Sequence, residues 1–310
     1  MEHLSDNTIN KARQVDLFSY LQLRDPGNLV KAGHDTYCTR EHDSLKINNG
    51  KWFWFSRGVG GTNALDYLMT VQGYRFADAV NEVLEGGAIP YVPSTAPAAE
   101  RKLVLPEKNR NSIRVEKYLL SRGIHPQVIR YCIDKGLLFE SAKYHNAVFV
   151  GYSDNGEPKY AAVRSTFASY KGEAPGSDKT YSFRIADNPK ATDLHIFEAA
   201  IDLLSLASMK AAAGENWLRE AYVSLGGISQ SSARNGLPKG LHRFLVASPN
   251  IESIHLHLDN DEPGRNASKA LMRLLGSDYL VFDEPPPIGK DMNEYLVLKQ
   301  LEREREEFER

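Results

Sequence analysis

Only two cysteines, Cys38 and Cys132, occur in the 310 residues, too few for a disulfide framework or for a thiolate-rich four-ligand zinc site. A reduced compartment is expected. No stretch of 18 or more apolar residues is present, which excludes a recognisable membrane-spanning helix. The polar start, Met1 to Asn10, lacks the basic and then apolar pattern of a secretory signal. A cytoplasmic chain without membrane contact is the expectation. Also missing are an internal repeat and a Gly-x-x-x-x-Gly-Lys-[Ser/Thr] loop, so fused helicase activity is not expected.

Net charge is small as well, with 38 Lys/Arg against 40 Asp/Glu and a formal balance of −2, but that balance hides a segregation. Residues 101–190 hold 16 Lys/Arg against 9 Asp/Glu, whereas residues 191–310 hold 13 against 19. A basic block followed by an acidic one suits a polyanion-binding surface beside a cation-binding site.

The proline- and alanine-rich run Pro90 to Ala99 reads as an extended linker. We expect a module over 1–89, a linker over 90–103, a basic subdomain over 104–190, a larger domain over 191–298 and a charged terminal helix over 299–310. In the first, Ser44 to Phe55 predicts two strands around Asn48-Asn49-Gly50, followed by helices over Thr62–Met69 and Arg75–Leu84. In the basic subdomain, helices over Ser112–Arg122 and Pro126–Lys135 end at Gly123 and Gly136, and strands flank the Asp154-Asn155-Gly156 turn. From Leu194 short apolar strands alternate with helices. Such alternation predicts an α/β fold with a mostly parallel sheet, its site at the carboxyl ends of the strands.

Three carboxylates fall there. Glu198 follows the strand ending at Phe197, while Asp259 and Asp261 follow the strand ending at Leu258. If those strands are neighbours the carboxylates converge and repel, and a hard divalent cation, Mg²⁺ or Mn²⁺, relieves the repulsion. His255 and His257 share a strand face and are read as packing residues.

Phe197-Glu198-Ala199-Ala200-Ile201-Asp202, Val223-Ser224-Leu225-Gly226-Gly227, Leu258-Asp259-Asn260-Asp261 with Gly264-Arg265, and Gly289-Lys290-Asp291-Met292-Asn293-Glu294 together resemble the successive motifs of a TOPRIM domain. That fold is shared by bacterial DnaG-type primases, topoisomerases and certain nucleases. The resemblance implies a multi-domain α/β chain with a Rossmann-like TOPRIM sheet, preceded by a mixed α+β basic subdomain and a small zinc-ribbon-like module. It assigns catalytic and metal-holding roles to Glu198, Asp259 and Asp261, with Lys290, Asp291 and Asn293 nearby and Asp291 a further metal ligand. Where the family has Glu-Gly, this chain has Glu198-Ala199.

Upstream, Arg164 and Lys179 match the positions that handle nucleotide and template phosphates in primases. Residues 34–84 resemble the primase zinc-binding domain, but its four ligand positions are Asp35, Cys38, Phe55 and Gly58, so zinc is not expected. Trp52, Phe53, Trp54 and Phe55 are expected to form an apolar core in its stead; a second reading stacks some of them on single-stranded bases beside Lys51 and Arg57.

The implied function is metal-dependent primer synthesis on a single-stranded DNA template from nucleoside triphosphates, as in TOPRIM proteins of plasmids and conjugative elements. A replicative helicase or a relaxase are the implied partners. A TOPRIM nuclease and a non-catalytic DNA-binding accessory are the alternatives.

Overall fold

The computed structural model describes residues 4–33, 36–48, 50–85, 102–227 and 236–308. His34, Asp35, Asn49 and the Pro90 to Ala99 run lie outside the described residues. The chain divides into two compact units, residues 1–99 and 100–310. No helix among the described residues is long and apolar enough to cross a membrane.

The first unit opens with two helices, α1 (Asp6–Arg13) and α2 (Leu17–Arg24), capped by the side chains of Ser5 and Asp16. An antiparallel sheet follows in chain order: β1 (Leu29–Lys31), β2 (Tyr37–Thr39), β3 (Leu45–Asn48), β4 (Lys51–Trp54) and β5 (Val59–Gly61). The expected strand pair is β3 and β4, with Asn48 opposite Lys51. Helices α3 (Ala64–Thr70) and α4 (Phe76–Glu85) complete the unit. At the start of α3, Asn63 Oδ1 accepts from the Asp66 amide while Asp66 Oδ2 accepts from Thr62 N–H, a reciprocal arrangement close to a capping box.

The expected aromatic core is only half right. Trp52 and Trp54 are buried among Leu45, Ile47, Leu65 and Tyr67, and Trp52 Nε1 donates to Asn63 O. Phe55, by contrast, is 66% exposed and meets Phe53 edge to face at 5.0 Å. Side chains on a strand alternate between faces, so Trp52 and Trp54 take the inner one and Phe53 the outer.

The second unit begins with α5 (Ile113–Ser121) and α6 (Pro126–Asp134) and an antiparallel sheet of β6 (Leu138–Glu140), β7 (Ala147–Tyr152), β8 (Pro158–Arg164) and β9 (Lys171–Glu173). The Asp154-Asn155-Gly156 turn joins β7 to β8, with Gly156 at φ 76°. Next come β10 (Arg184–Ile185), β11 (Asp193–Phe197), α7 (Ala200–Ala212), β12 (Ala221–Ser224), α8 (Lys239–Ala247), β13 (Ser253–His257), α9 (Glu262–Leu275), β14 (Leu280–Asp283) and α10 (Met292–Phe308). These strands form one sheet in the order β10-β12-β11-β13-β14, parallel except for β10.

Apolar residues cover both faces of that sheet, as parallel strands require. Leu194, Ile196, Ile254 and Leu256 pack with Leu241 and Phe244 of α8 and Leu271 of α9. Phe197 and Tyr222 join Leu203, Leu204 and Met292 on the other face. On that second face the rings of Tyr222, His195, His255 and Phe282 stack across four neighbouring strands, with centroids 5.2, 4.7 and 5.0 Å apart. His257 stacks on Phe197 in the next row. The histidines thus sit in a packed, hydrogen-bonded layer: His195 bonds His257 and Glu220, and Glu220 also receives Lys210 and Tyr222.

Candidate metal centre

Strands β11 and β13 are direct neighbours, with Phe197 opposite His257. Their carboxyl ends therefore deliver Glu198 and the Asp259 to Asp261 segment to one place. Glu198, Asp259 and Asp261 each turn one carboxylate oxygen into a cluster whose atoms lie within 4.8 Å of one another. It is the only such group of three His, Cys, Asp or Glu side chains among the described residues.

The loop backbone is tightly fitted around this cluster. Asp261 caps α9, its Oδ1 accepting from Gly264 N–H at 3.0 Å. A Cβ on Gly264 would lie 2.3 Å from Asp259 O and 2.9 Å from Glu198 Oε1, so this residue must be glycine for the two strand ends to meet. Arg265 spans the turn, donating to Asp259 O and Leu258 O and forking onto Asp283. Asn260 does the same for the following loop: its side chain donates to Pro286 O and Gly289 O, and its amide to Lys290 O. On the other side, Gly227 N–H donates to Glu198 O at 2.9 Å. The adjoining Gly226, at φ 66°, leaves room for the Tyr160 hydroxyl.

Electrostatics mark the cluster as short of positive charge. Burial, with Asp259 and Asp261 adding, pushes the Glu198 carboxyl up to about 7. Burial likewise raises Asp259, while Lys290 opposes it. Asp261 is held low: burial works against it, but the Gly264 amide and Lys290 outweigh that. Glu198 Oε1 is buried without a hydrogen-bond partner. Lys290 Nζ stands 3.1 Å from Asp261 Oδ2 and 3.6 Å from Asp259 Oδ2. An oxygen-only donor set with an orphaned buried carboxylate oxygen fits a hard divalent cation.

The other sequence-derived candidates are placed as follows. Asp291 caps α10 by accepting from Glu294 N–H and stands outside the three-carboxylate group. Asn293 is buried, its side chain bonded to Arg122 O and Ser205 Oγ while its amide donates to Asp202. Asp202 is a fully buried carboxyl that burial, then Asp291, pushes up to about 8. Lys179 Nζ donates to Gly226 O and pairs with Glu173, one glycine from the residue bonded to Glu198. Arg164 ends β8 with its Nε on the Tyr118 hydroxyl at 3.4 Å. Lys51 and Arg57 belong to the first unit, where the Arg57 guanidinium lies 4.5 Å over the Trp54 ring.

Sequence reasoning passed over Asn260 and Gly264 as functional positions. The Asp-Asn-Asp-x-x-Gly spacing held the signal, since an N-capping aspartate three residues before a helical glycine implies close backbone approach.

Residues 195–296 match the family described as Toprim-like, and residues 117–189 match a family described as a protein of unknown function (DUF3991). The chain is thus a multi-domain α/β protein with a Toprim-like domain over residues 195–296. The 65 kDa protein of Zymomonas mobilis subsp. mobilis is 27% identical over 329 residues, an alignment taking in 96% of this chain and 50% of that protein. The chain therefore spans about half the length of this curated relative. Among solved structures, the primase fragment of the bacteriophage T7 primase-helicase protein is similar at 18% identity, covering 86% of this chain and 93% of that one, with a TM-score of 0.47. The zinc-binding and RNA polymerase domains of Aquifex aeolicus primase are similar at 16% identity over 96% and 84% of the two chains, with a TM-score of 0.40.

Proposed function

We propose that this protein is a primase-type nucleotidyltransferase that binds single-stranded DNA and joins nucleoside triphosphates into short primers. The observation that carries the reading is the convergence of Glu198, Asp259 and Asp261 at the ends of adjacent parallel strands, with one buried carboxylate oxygen left unpartnered. The basic block over residues 101–190 supports a polyanionic substrate.

Glu198, Asp259 and Asp261 hold Mg²⁺ or Mn²⁺ in this reading, with Asp291 behind them. Such a cation orients a triphosphate and offsets the charge that develops during phosphoryl transfer. Lys290, already against two of the carboxylates, would offer its ammonium to a phosphate oxygen of the bound triphosphate. Lys179, exchanging Gly226 O and Glu173 for phosphate, and Arg164 hold the triphosphate or template backbone. Lys51 and Arg57 of the first unit contact template. Gly264 and Asn260 keep the two loops in register so that the carboxylates need no rearrangement. The working context is replication or transfer of a plasmid or other mobile element, with a helicase or relaxase as partner.

The test incubates the protein with unlabelled single-stranded DNA, labelled nucleoside triphosphates and Mg²⁺ or Mn²⁺, beside end-labelled DNA alone. Short labelled products that vanish in Asp259→Asn/Asp261→Asn support the reading. Shortened DNA would make the centre a nuclease, and silence in both reactions with DNA binding retained would make the chain a non-catalytic accessory.

A further inference from the structure

Two loops at one end of the β6–β9 sheet present rings to solvent. Tyr144 is 62% exposed, Phe167 70% and Tyr170 54%. Together the three rings set flat apolar faces on two adjoining loops.

These loops are held in shape by their own hydrogen bonds. Residues 141–146 close through Ser141 N–H to Asn146 O, His145 N–H to Ser141 O and Asn146 N–H to Ser141 Oγ. Buried Glu140 anchors them, accepting from the Arg114 and Val115 amides and pairing with His145 Nδ1 at 2.6 Å. That grip accompanies His145 at φ 53°, the one non-glycine with positive φ among the described residues. Residues 165–170 close through Ser165 N–H to Tyr170 O, with Ser165 Oγ accepting from the Phe167 and Ala168 amides. Thr166 Oγ1 donates to His145 O at 3.0 Å, joining one loop to the other. Gly172 admits the Tyr170 ring, whose hydroxyl would be 2.7 Å from a Cβ at that position.

Cations attend the rings. The Arg114 guanidinium lies 4.5 Å over Phe167, and Lys143 Nζ 5.0 Å over Tyr144. Lys171 opens β9. Neither loop contains an aspartate or glutamate, and among the described residues no carboxylate pairs with Arg114, Lys143 or Lys171. Strand β9 then runs toward the metal centre: Lys171 opposes Arg164, and two residues on, ~7 Å along a strand, Glu173 pairs with Lys179 beside the Gly226 loop.

We infer that Tyr144, Phe167 and Tyr170, with Arg114, Lys143 and Lys171, form a preorganised stacking platform for single-stranded DNA that feeds the strand toward the carboxylate cluster. Flat rings accept any base, the cations neutralise backbone phosphates, and duplex DNA, whose bases are already stacked, gains little there. The assignment of DNA rests on the primase reading; the stacking chemistry does not.

Fluorescence anisotropy of the full chain with a fluorescein-labelled oligothymidylate, in buffer without divalent ions, tests this. Phe167→Ala/Tyr170→Ala should weaken binding by roughly tenfold or more, the scale of losing base-stacking rings, while Phe167→Tyr keeps it. Lys143→Gln/Lys171→Gln should make the salt dependence shallower. Both aromatic positions are exposed, so an unchanged melting temperature certifies the fold. Undiminished affinity in the double alanine variant, or an equal loss toward duplex DNA, overturns the platform. Tighter Phe167-dependent binding of an oligouridylate overturns its assignment to DNA. A chain that makes no primers but needs Phe167 to bind oligothymidylate keeps the platform and sinks the primase reading.

Discussion

Lys290 Nζ lies 3.1 Å from Asp261 Oδ2, inside the reach of the carboxylates that converge on the strand ends. The bond to Asp261 is the main reason its pKa is raised. The ammonium thus competes with an added cation for the same oxygens. Lys290→Ala should tighten Mg²⁺ binding and slow nucleotide transfer, while changing the stability of the metal-free protein by no more than about 1 kcal/mol, since the pair is solvent-screened. Calorimetric titration and primer yield read the two opposite effects; weaker Mg²⁺ binding would mean that Lys290 only orders the loop.

Above about pH 6.5, where His195 and His257, held low by burial, are neutral whether the chain is folded or not, the metal-free protein should lose stability as pH rises. Glu198, ordinarily near 4.5, titrates at about 7 when folded, and Asp202, ordinarily near 3.8, at about 8, burial being the leading cause for both. Between the ordinary and folded values the folded chain holds more protons than the unfolded chain, so stability is present at the low end of that window and declines toward pH 8. Asp202→Asn should flatten the upper part of the decline, and Mg²⁺ should raise the melting temperature more at pH 8 than at pH 5. Melting temperatures that stay level between about pH 6.5 and 8 would remove the argument.

Gly264→Ala should damage the centre out of proportion to its size. The new methyl meets Asp259 O and Glu198 Oε1 at 2.3 and 2.9 Å, and overpacking of this kind costs about 1–3 kcal/mol. Primer synthesis and Mg²⁺-induced stabilisation should fall together while the first unit stays folded. A variant with normal Mg²⁺ stabilisation would show that the loop yields without cost.

Within the first unit, Trp52 inside β4 and Phe55 just past its end should differ sharply. Trp52, 2% exposed with its indole bonded to Asn63 O, should cost about 3–5 kcal/mol on truncation to alanine. Phe55→Ala should fall within about 0.5 kcal/mol. Chemical unfolding of the two variants measures both.

The same pair shows how far the sequence could be read. Trp52-Phe53-Trp54-Phe55 looks uniformly apolar, and which rings turn inward depends on the register of β4 against β3, which pairing alone decides. The strand–helix alternation after Leu194 and the turn at Asp154-Asn155-Gly156 were legible because period and turn chemistry agree there with the tertiary structure. Helices α1 and α2, only eight residues each, and the three-residue strands β1 and β2 left too few periods to see. At the centre, carboxylates following apolar strands were legible, yet their convergence depends on β11 lying beside β13. Asp291 and Asn293 read equally as site residues or helix caps; the first caps α10, and the second is buried against Arg122 and Ser205.

The most direct measurement is Mn²⁺ binding followed by electron paramagnetic resonance. Free Mn²⁺ signal should drop on adding the wild-type chain, with Mg²⁺ competing, and should not drop with Asp259→Asn/Asp261→Asn or with Glu198→Gln. Equal binding by wild type and variants would place the cation elsewhere and contradict the assignment of Glu198, Asp259 and Asp261 as its ligands.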